Sequence, residues 1–197
     1  MPTPALYYQI SILDPHGRLA YPYPEMPAHS FVKGYLMALH TFFMSATVGS
    51  FPNTSGVNRV LRDPSLSGTD PFEINGGVND DLHGTVCGTG DTPVTLLDYA
   101  LETQILTGVG AGQMEYGLVS MTPYVPDGSN GTISIFRVIA NNSPGLITVK
   151  ETGIYYKWDH TGSIPDYFMM VRDVLPAAVP VAVGESMAIT YTLKISL

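Results

Sequence analysis

The chain has 197 residues, a length that one mainly β domain can fill, and carries a net charge of −8 with only nine Lys plus Arg. No basic run occurs, which disfavours nucleic acid or an anionic membrane surface as a partner, since both need clustered cations. Charged residues make up 13 % of the chain, about half the usual ~25 %, so the surface must be covered by uncharged polar groups or by neighbouring subunits.

Twenty Gly and sixteen Pro cut the sequence into short pieces, the punctuation of a β-rich fold. Residues 1–28 read as an extended N-terminal segment holding one strand, Leu6–Leu13, closed by the turn Asp14-Pro-His-Gly17. Tyr21–Pro27 carries too many prolines for a central strand. Residues 30–46 predict a helix: Ser30 is the N-cap candidate, and Phe31, Tyr35, Leu39, Phe42 and Phe43 fall at spacings of three and four. Phe31, Tyr35, Leu39 and Phe43 are expected to point into the core. Residues 50–93 are rich in Gly, Asn, Asp, Ser and Pro and read as an irregular loop or assembly arm. Tyr99–Leu106 predicts a short helix capped by Asp98 and closed by Gly108.

From residue 113 onward the pattern becomes β, with period-two alternation in Thr132–Ala140 and in the closing strand Ser186–Leu197. Gln113–Tyr124, Thr132–Ala140, Leu146–Tyr156, Phe168–Val174 and Ser186–Leu197 read as strands. Asp127–Gly131, Asn141–Gly145 and Gly184-Glu185 are the turns between them. The expected fold is mainly β: one antiparallel, jelly-roll-like β-sandwich over 1–197 with a single helix of the N-terminal half packed on it.

The search for chemistry finds no constellation. His16, His29, His40, His83 and His160 contain no pair at i, i+4, the helical spacing of a metal site. Cys87 is the one cysteine, so an internal disulfide and a cysteine-based metal cluster are excluded. Cys87-Gly-Thr-Gly-Asp91 lacks the Gly-Lys-Ser/Thr of a phosphate loop. Asn79-Asp-Asp81, Asp159, Asp166 and Asp173 do not complete a calcium-loop pattern. The Asn-x-Ser/Thr matches at Asn53, Asn130 and Asn141 read as polar turns. No catalytic, cofactor-binding or metal-ligating residue is therefore assigned, and no cofactor is expected. Tyr155, Tyr156, Trp158 and Tyr167 form an aromatic run that fits a sandwich core, an interface anchor or a sugar platform. Arg172 and Asp173 are expected to pair with each other or with a neighbouring subunit. The start Met1-Pro-Thr-Pro-Ala lacks the basic segment and apolar run of a signal peptide, and no apolar stretch reaches about 18 residues, so folding in a cytosol is expected.

Several phrases belong together. They are His29-Ser-Phe-Val-Lys33, Val86-Cys-Gly-Thr-Gly-Asp-Thr-Pro-Val94 with Asp98-Tyr-Ala-Leu-Glu102, and Phe136-Arg-Val-Ile-Ala-Asn-Asn-Ser143. Val149-Lys-Glu-Thr-Gly-Ile-Tyr155, Val171-Arg-Asp-Val-Leu175 and Gly184-Glu185 before Ala188-Ile-Thr-Tyr-Thr-Leu193 complete the series. Over most of residues 29–197 this series resembles small virion structural proteins of tailed bacteriophages. The resemblance implies a β-sandwich building block of a capsid or tail, folded in the host cytoplasm before it joins the virion. The resulting expectation is a non-enzymatic capsid decoration or cement protein. It would associate with itself as a homo-oligomer, a trimer first, and brace the major capsid protein. The alternative is a tail, baseplate or fibre component that attaches to the host or to other tail proteins.

Overall fold

The computed structural model describes residues 3–28, 31–45, 47–66, 72–127, 130–161 and 164–196. Strands take 52 % of the chain and helix 7 %, and the strands pair antiparallel, so the fold is mainly β as the period-two runs predict.

Alternation builds the first sheet. In β1 (Thr3–Leu13), Leu6, Tyr8, Ile10 and Ile12 are buried while Gln9 between them is exposed, the pattern of a strand with one covered face. Along β13 (Ser186–Ser196), Met187, Ile189 and Tyr191 are buried. Along β10 (Asn130–Ala140), Ile135, Arg137 and Ile139 are. β13 lies between β1 and β10 and pairs with both over its full length. Short strands finish the two edges. β2 (Leu19–Pro22) and β3 (Met26–Ala28) pair with β1. β7 (Glu115–Tyr116), β8 (Ser120–Met121) and β9 (Val125–Asp127) pair in turn with β10.

The second sheet runs β12 (Ile164–Val181), β11 (Ile147–Thr161), β6 (Gly84–Gly88). Its centre is buried on both faces: Ile154, Tyr155 and Tyr156 on β11 and Phe168 to Asp173 on β12 are all interior. One face meets the first sheet, where the Tyr191 hydroxyl of β13 reaches Asp173 of β12. The other lies under an outer layer made of α1 (Lys33–Met44), the hairpin β4 (Val48–Pro52) and β5 (Asn58–Leu61), and residues 89–103. Two covered faces explain why these strands read as near-continuous apolar runs rather than alternating ones. The sheet's edges are closed as well. Phe31-Val32 bridges to β12, with the Val32 N–H on Met170 O, and residues 103–105 run along β6, with Ile105 N–H on Cys87 O.

β10 pairs with β13 and β11 pairs with β12, so the C-terminal part is one long ribbon folded across both sheets. Its corner is Asn141. The buried Asn141 amide donates to Gly145 O and Val181 O and its oxygen accepts from Ser143, which leaves no polar atom of the side chain unmet.

Several elements differ from expectation. The helix spans Lys33–Met44, and its expected cap Ser30 lies outside the described residues; Val32 holds the N-cap position with no side-chain cap bond. Its buried face is Gly34, Ala38 and Thr41. Phe31, Tyr35 and Leu39 are only half-buried, and Phe43, expected in the core, is 76 % exposed. The small residues decide this. A Cβ on Gly34 would sit 2.2 Å from Met169 O, so α1 approaches the β12 backbone closely along its narrow side and turns its large side chains away. Residues 50–93, read as irregular, contain β5 and the wholly buried β6. Residues 99–106 are not helical: the N–H groups of Leu101, Glu102 and Thr103 go to the Tyr155 hydroxyl and the Glu151 carboxylate. Gln113–Tyr124 is two short strands, because the Val119 N–H turns away from β10 to Gly76 O and the pairing resumes one residue out of register at Ser120.

Candidate functional site

The densest polar cluster lies between the second sheet and residues 89–103. Glu151 on β11 is fully buried. Its Oε1 accepts from the N–H groups of Gly90 (3.1 Å) and Thr103 (2.8 Å). Its Oε2 accepts from the N–H of Glu102 (3.1 Å) and from Arg172 Nε (2.9 Å). Arg172 on β12 donates its remaining edges to Asp98 Oδ2 (2.7 Å) and to Thr92 O (3.2 Å). Glu102 in turn accepts the N–H groups of Asp91 and Thr92, each at 2.8 Å. Burial pushes the Asp98 carboxyl up, but the Arg172 and Thr95 hydrogen bonds outweigh it and hold Asp98 below its usual range. The Thr92 N–H and hydroxyl hold Glu102 down, and Arg172 is raised by its carboxylates against the pull of burial. A carboxylate with all its acceptor positions in use has no free lone pair for acid–base work. The cluster is a latch that fixes an irregular segment to a sheet.

Two outcomes follow. Glu151→Ala strands three backbone N–H groups and the Arg172 guanidinium, and should cost about 3 kcal/mol of stability in urea unfolding. Asp98 and Glu102 have folded pKa values below their usual 3.8 and 4.5. Their contribution is therefore complete above those usual values and lost as pH falls through the lower folded values. The melting temperature should drop below about pH 4, and Asp98→Asn should flatten that drop.

A second buried cation, Arg137, was not singled out from sequence. It points inward from β10, and its five hydrogen bonds all go to backbone carbonyls. Nε donates to Gly117 O (2.7 Å), Nη1 to His83 O (3.1 Å) and Thr85 O (3.0 Å), and Nη2 to Gly77 O (2.8 Å) and Asp80 O. The guanidinium lies 4.8 Å from the centre of the Tyr116 ring. Burial lowers its pKa from the ordinary guanidinium value. The signal in the sequence is its phase: Ile133, Ile135, Arg137 and Ile139 share one face of a strand. Beside it, burial pushes the Cys87 thiol up to about 12 against the Tyr116 hydroxyl 3.5 Å away. Thiol reagents should therefore label Cys87 only in denaturant, and prompt labelling of the native chain at neutral pH would contradict this placement.

The aromatic run anticipated as interface anchors is interior. Tyr155, Tyr156 and Trp158 are each at most 1 % exposed. The Tyr155 hydroxyl accepts from Leu101 N–H (2.7 Å), Tyr156 donates to Gly34 O (3.0 Å), and Trp158 donates to Arg62 O (2.8 Å). Phe72 stacks on Tyr156 at 4.9 Å. These rings hold the outer layer on the sheet and cannot meet a neighbour. Tyr167 is half-buried against the His83 ring at 5.7 Å. Arg172 and Asp173 serve opposite faces of β12, as adjacent strand residues must: Arg172 faces the latch, and Asp173 accepts from the Tyr191 hydroxyl at 3.2 Å. Burial, with Asp173 nearby, lifts Tyr8 to about 12.

An apolar cavity of about 460 Å³ opens between α1 and the two sheets, walled by Phe31, Tyr35, Leu39, Phe72, Ile135 and Met170. Among the described residues, no three His, Cys, Asp or Glu gather where they could hold a metal ion. No helix there is long and apolar enough to cross a membrane. The surface carries large apolar side chains instead: Leu36, Phe42, Phe43 and Met44 on α1, and Leu96 and Leu97 beside it. Comparison with known proteins finds no matching family model, no matching curated protein and no matching solved structure.

Proposed function

We propose that the chain is a non-enzymatic structural subunit of a tailed-phage virion, a capsid decoration protein that braces shell subunits by surface contact. The observation that carries this reading is the division of labour among its side chains. The buried charges Glu151, Arg172 and Arg137 hold the chain's own backbone, whereas large apolar groups such as Phe43 and Leu97 face solvent. A contact surface needs that arrangement and a reaction centre does not. The charge-poor composition and the series of phrases from His29 to Leu193 that resembles phage virion proteins support the same reading. The burial of Tyr155, Tyr156 and Trp158 leaves the tail alternative without the exposed aromatic platform that attachment to a host glycan would use.

The test is addition of the purified protein to phage shells stripped of their decoration. Saturable binding in register with the shell's symmetry is the expected result. No binding, together with binding to a tail component or to host glycan, would overturn it.

A further inference from the structure

We infer that the outward face of α1, extended by Leu96 and Leu97, is the surface on which a second copy of this chain docks. The inference rests on the assembly reading above and names the contact it requires. Leu36, His40, Phe43 and Met44 recur at spacings of three and four and so lie along one side of the helix. The Lys33 N–H donates to Leu96 O at 2.9 Å, which sets Leu96 and Leu97 against the first turn. The stripe is thus at least the length of a 12-residue helix, ~18 Å.

Area and charge identify the occupant. Leu36 is 63 % exposed, Leu97 73 % and Phe43 76 %, with Phe42, Met44 and Leu96 also more than half exposed. Six large side chains at these fractions present on the order of several hundred Å², near the ~800 Å² per partner of a standard interface and at the top of what a monomer leaves bare. The inner face of the helix is already taken by β12, and among the described residues this outer area has no partner. Charge then selects among partners. The chain holds seventeen Asp plus Glu, yet none falls between Glu25 and Asp63. Two copies at −8 each repel across most of their surfaces but not here. The one carboxylate next to Leu97, Asp98, is bound to Arg172. An apolar face whose one charge is the exposed Lys33 at the first helical turn accepts another of its kind set antiparallel, which keeps the two lysines apart, and a second copy always supplies one.

Sedimentation velocity over a wide range of concentration tests this on the full chain, comparing wild type with Leu36→Glu, Phe43→Glu and, as a control, Leu146→Glu, which is 63 % exposed on the corner after β10. All three sites are open to solvent, and equal melting temperatures would show that the variants fold. The expected result is an oligomer whose dissociation constant rises roughly tenfold or more in each helix variant and is unchanged in the control. A wild type that stays monomeric, or an oligomer indifferent to both helix variants, would overturn the inference. The assembly reading is scored separately, by binding to stripped shells. If wild type is monomeric and Phe43→Glu abolishes shell binding, the face belongs to a shell subunit rather than a second copy. If neither self-association nor shell binding occurs, both readings fall.

Discussion

Replacing Arg137 by Met should lower the unfolding free energy by about 3–5 kcal/mol, the largest loss expected from any single substitution of a buried charge in this chain. Exchange of a buried ion for an apolar group is sometimes neutral, because the desolvation of the charge is recovered. That recovery is outweighed here. The acceptors are the carbonyls of Gly117, His83, Thr85, Gly77 and Asp80, and substituting a side chain cannot remove them. Each one left dry costs about 1–3 kcal/mol until the loop opens to water. Arg137→Lys should fall between the two, since three donors on a point charge cannot span five carbonyls arranged around a planar fork. Urea unfolding of the three proteins checks the order. A Met variant within about 1 kcal/mol of wild type would mean that residues 76–85 do not depend on Arg137 for their shape.

Gly34→Ala should destabilise by about 2–3 kcal/mol, against the direction of helix propensity, which alone favours Ala by about 1 kcal/mol. The new methyl would lie 2.2 Å from Met169 O. That carbonyl cannot step aside, because Met169 is paired with Tyr155 in the middle of the second sheet. The helix must lift instead, which loosens the Phe51–Phe168 contact (5.0 Å) beneath it and the bond from the Tyr156 hydroxyl to Gly34 O. A rise in melting temperature for this variant would contradict the close approach of α1 to β12.

How much of this was legible in the sequence depended on how local its cause was. β10 and β13 announced themselves, because a half-covered strand alternates and Gly or Pro marks the reversals, as at Gly184 with φ of 84°. The helix was legible as a helix, but its facing was not. Large apolar residues at spacings of three and four suggest a core face, whereas Gly34 and Ala38 set the contact by letting backbone meet backbone. Tyr99–Leu106 has good helix formers, yet its N–H groups are claimed by Glu151 and Tyr155 some fifty positions away. Such acceptors leave no periodic trace. β6 was lost among glycines for the same reason: its five residues pair with β11, more than sixty residues downstream. The interior place of Tyr155, Tyr156 and Trp158 turned on the outer layer, which covers a second face that a two-layer reading leaves open. The Glu151–Arg172 latch joins residues 21 apart on paired strands to a segment some fifty residues earlier, so its members looked unrelated in the sequence.

The proposed role requires that this chain pack against a phage shell. The most direct measurement is its copy number in purified particles of a phage that encodes it, by quantitative mass spectrometry against the major capsid protein. A fixed ratio that follows the shell's symmetry, with many copies per particle, is the predicted result. Absence from the particle, or a handful of copies confined to the tail, would contradict it.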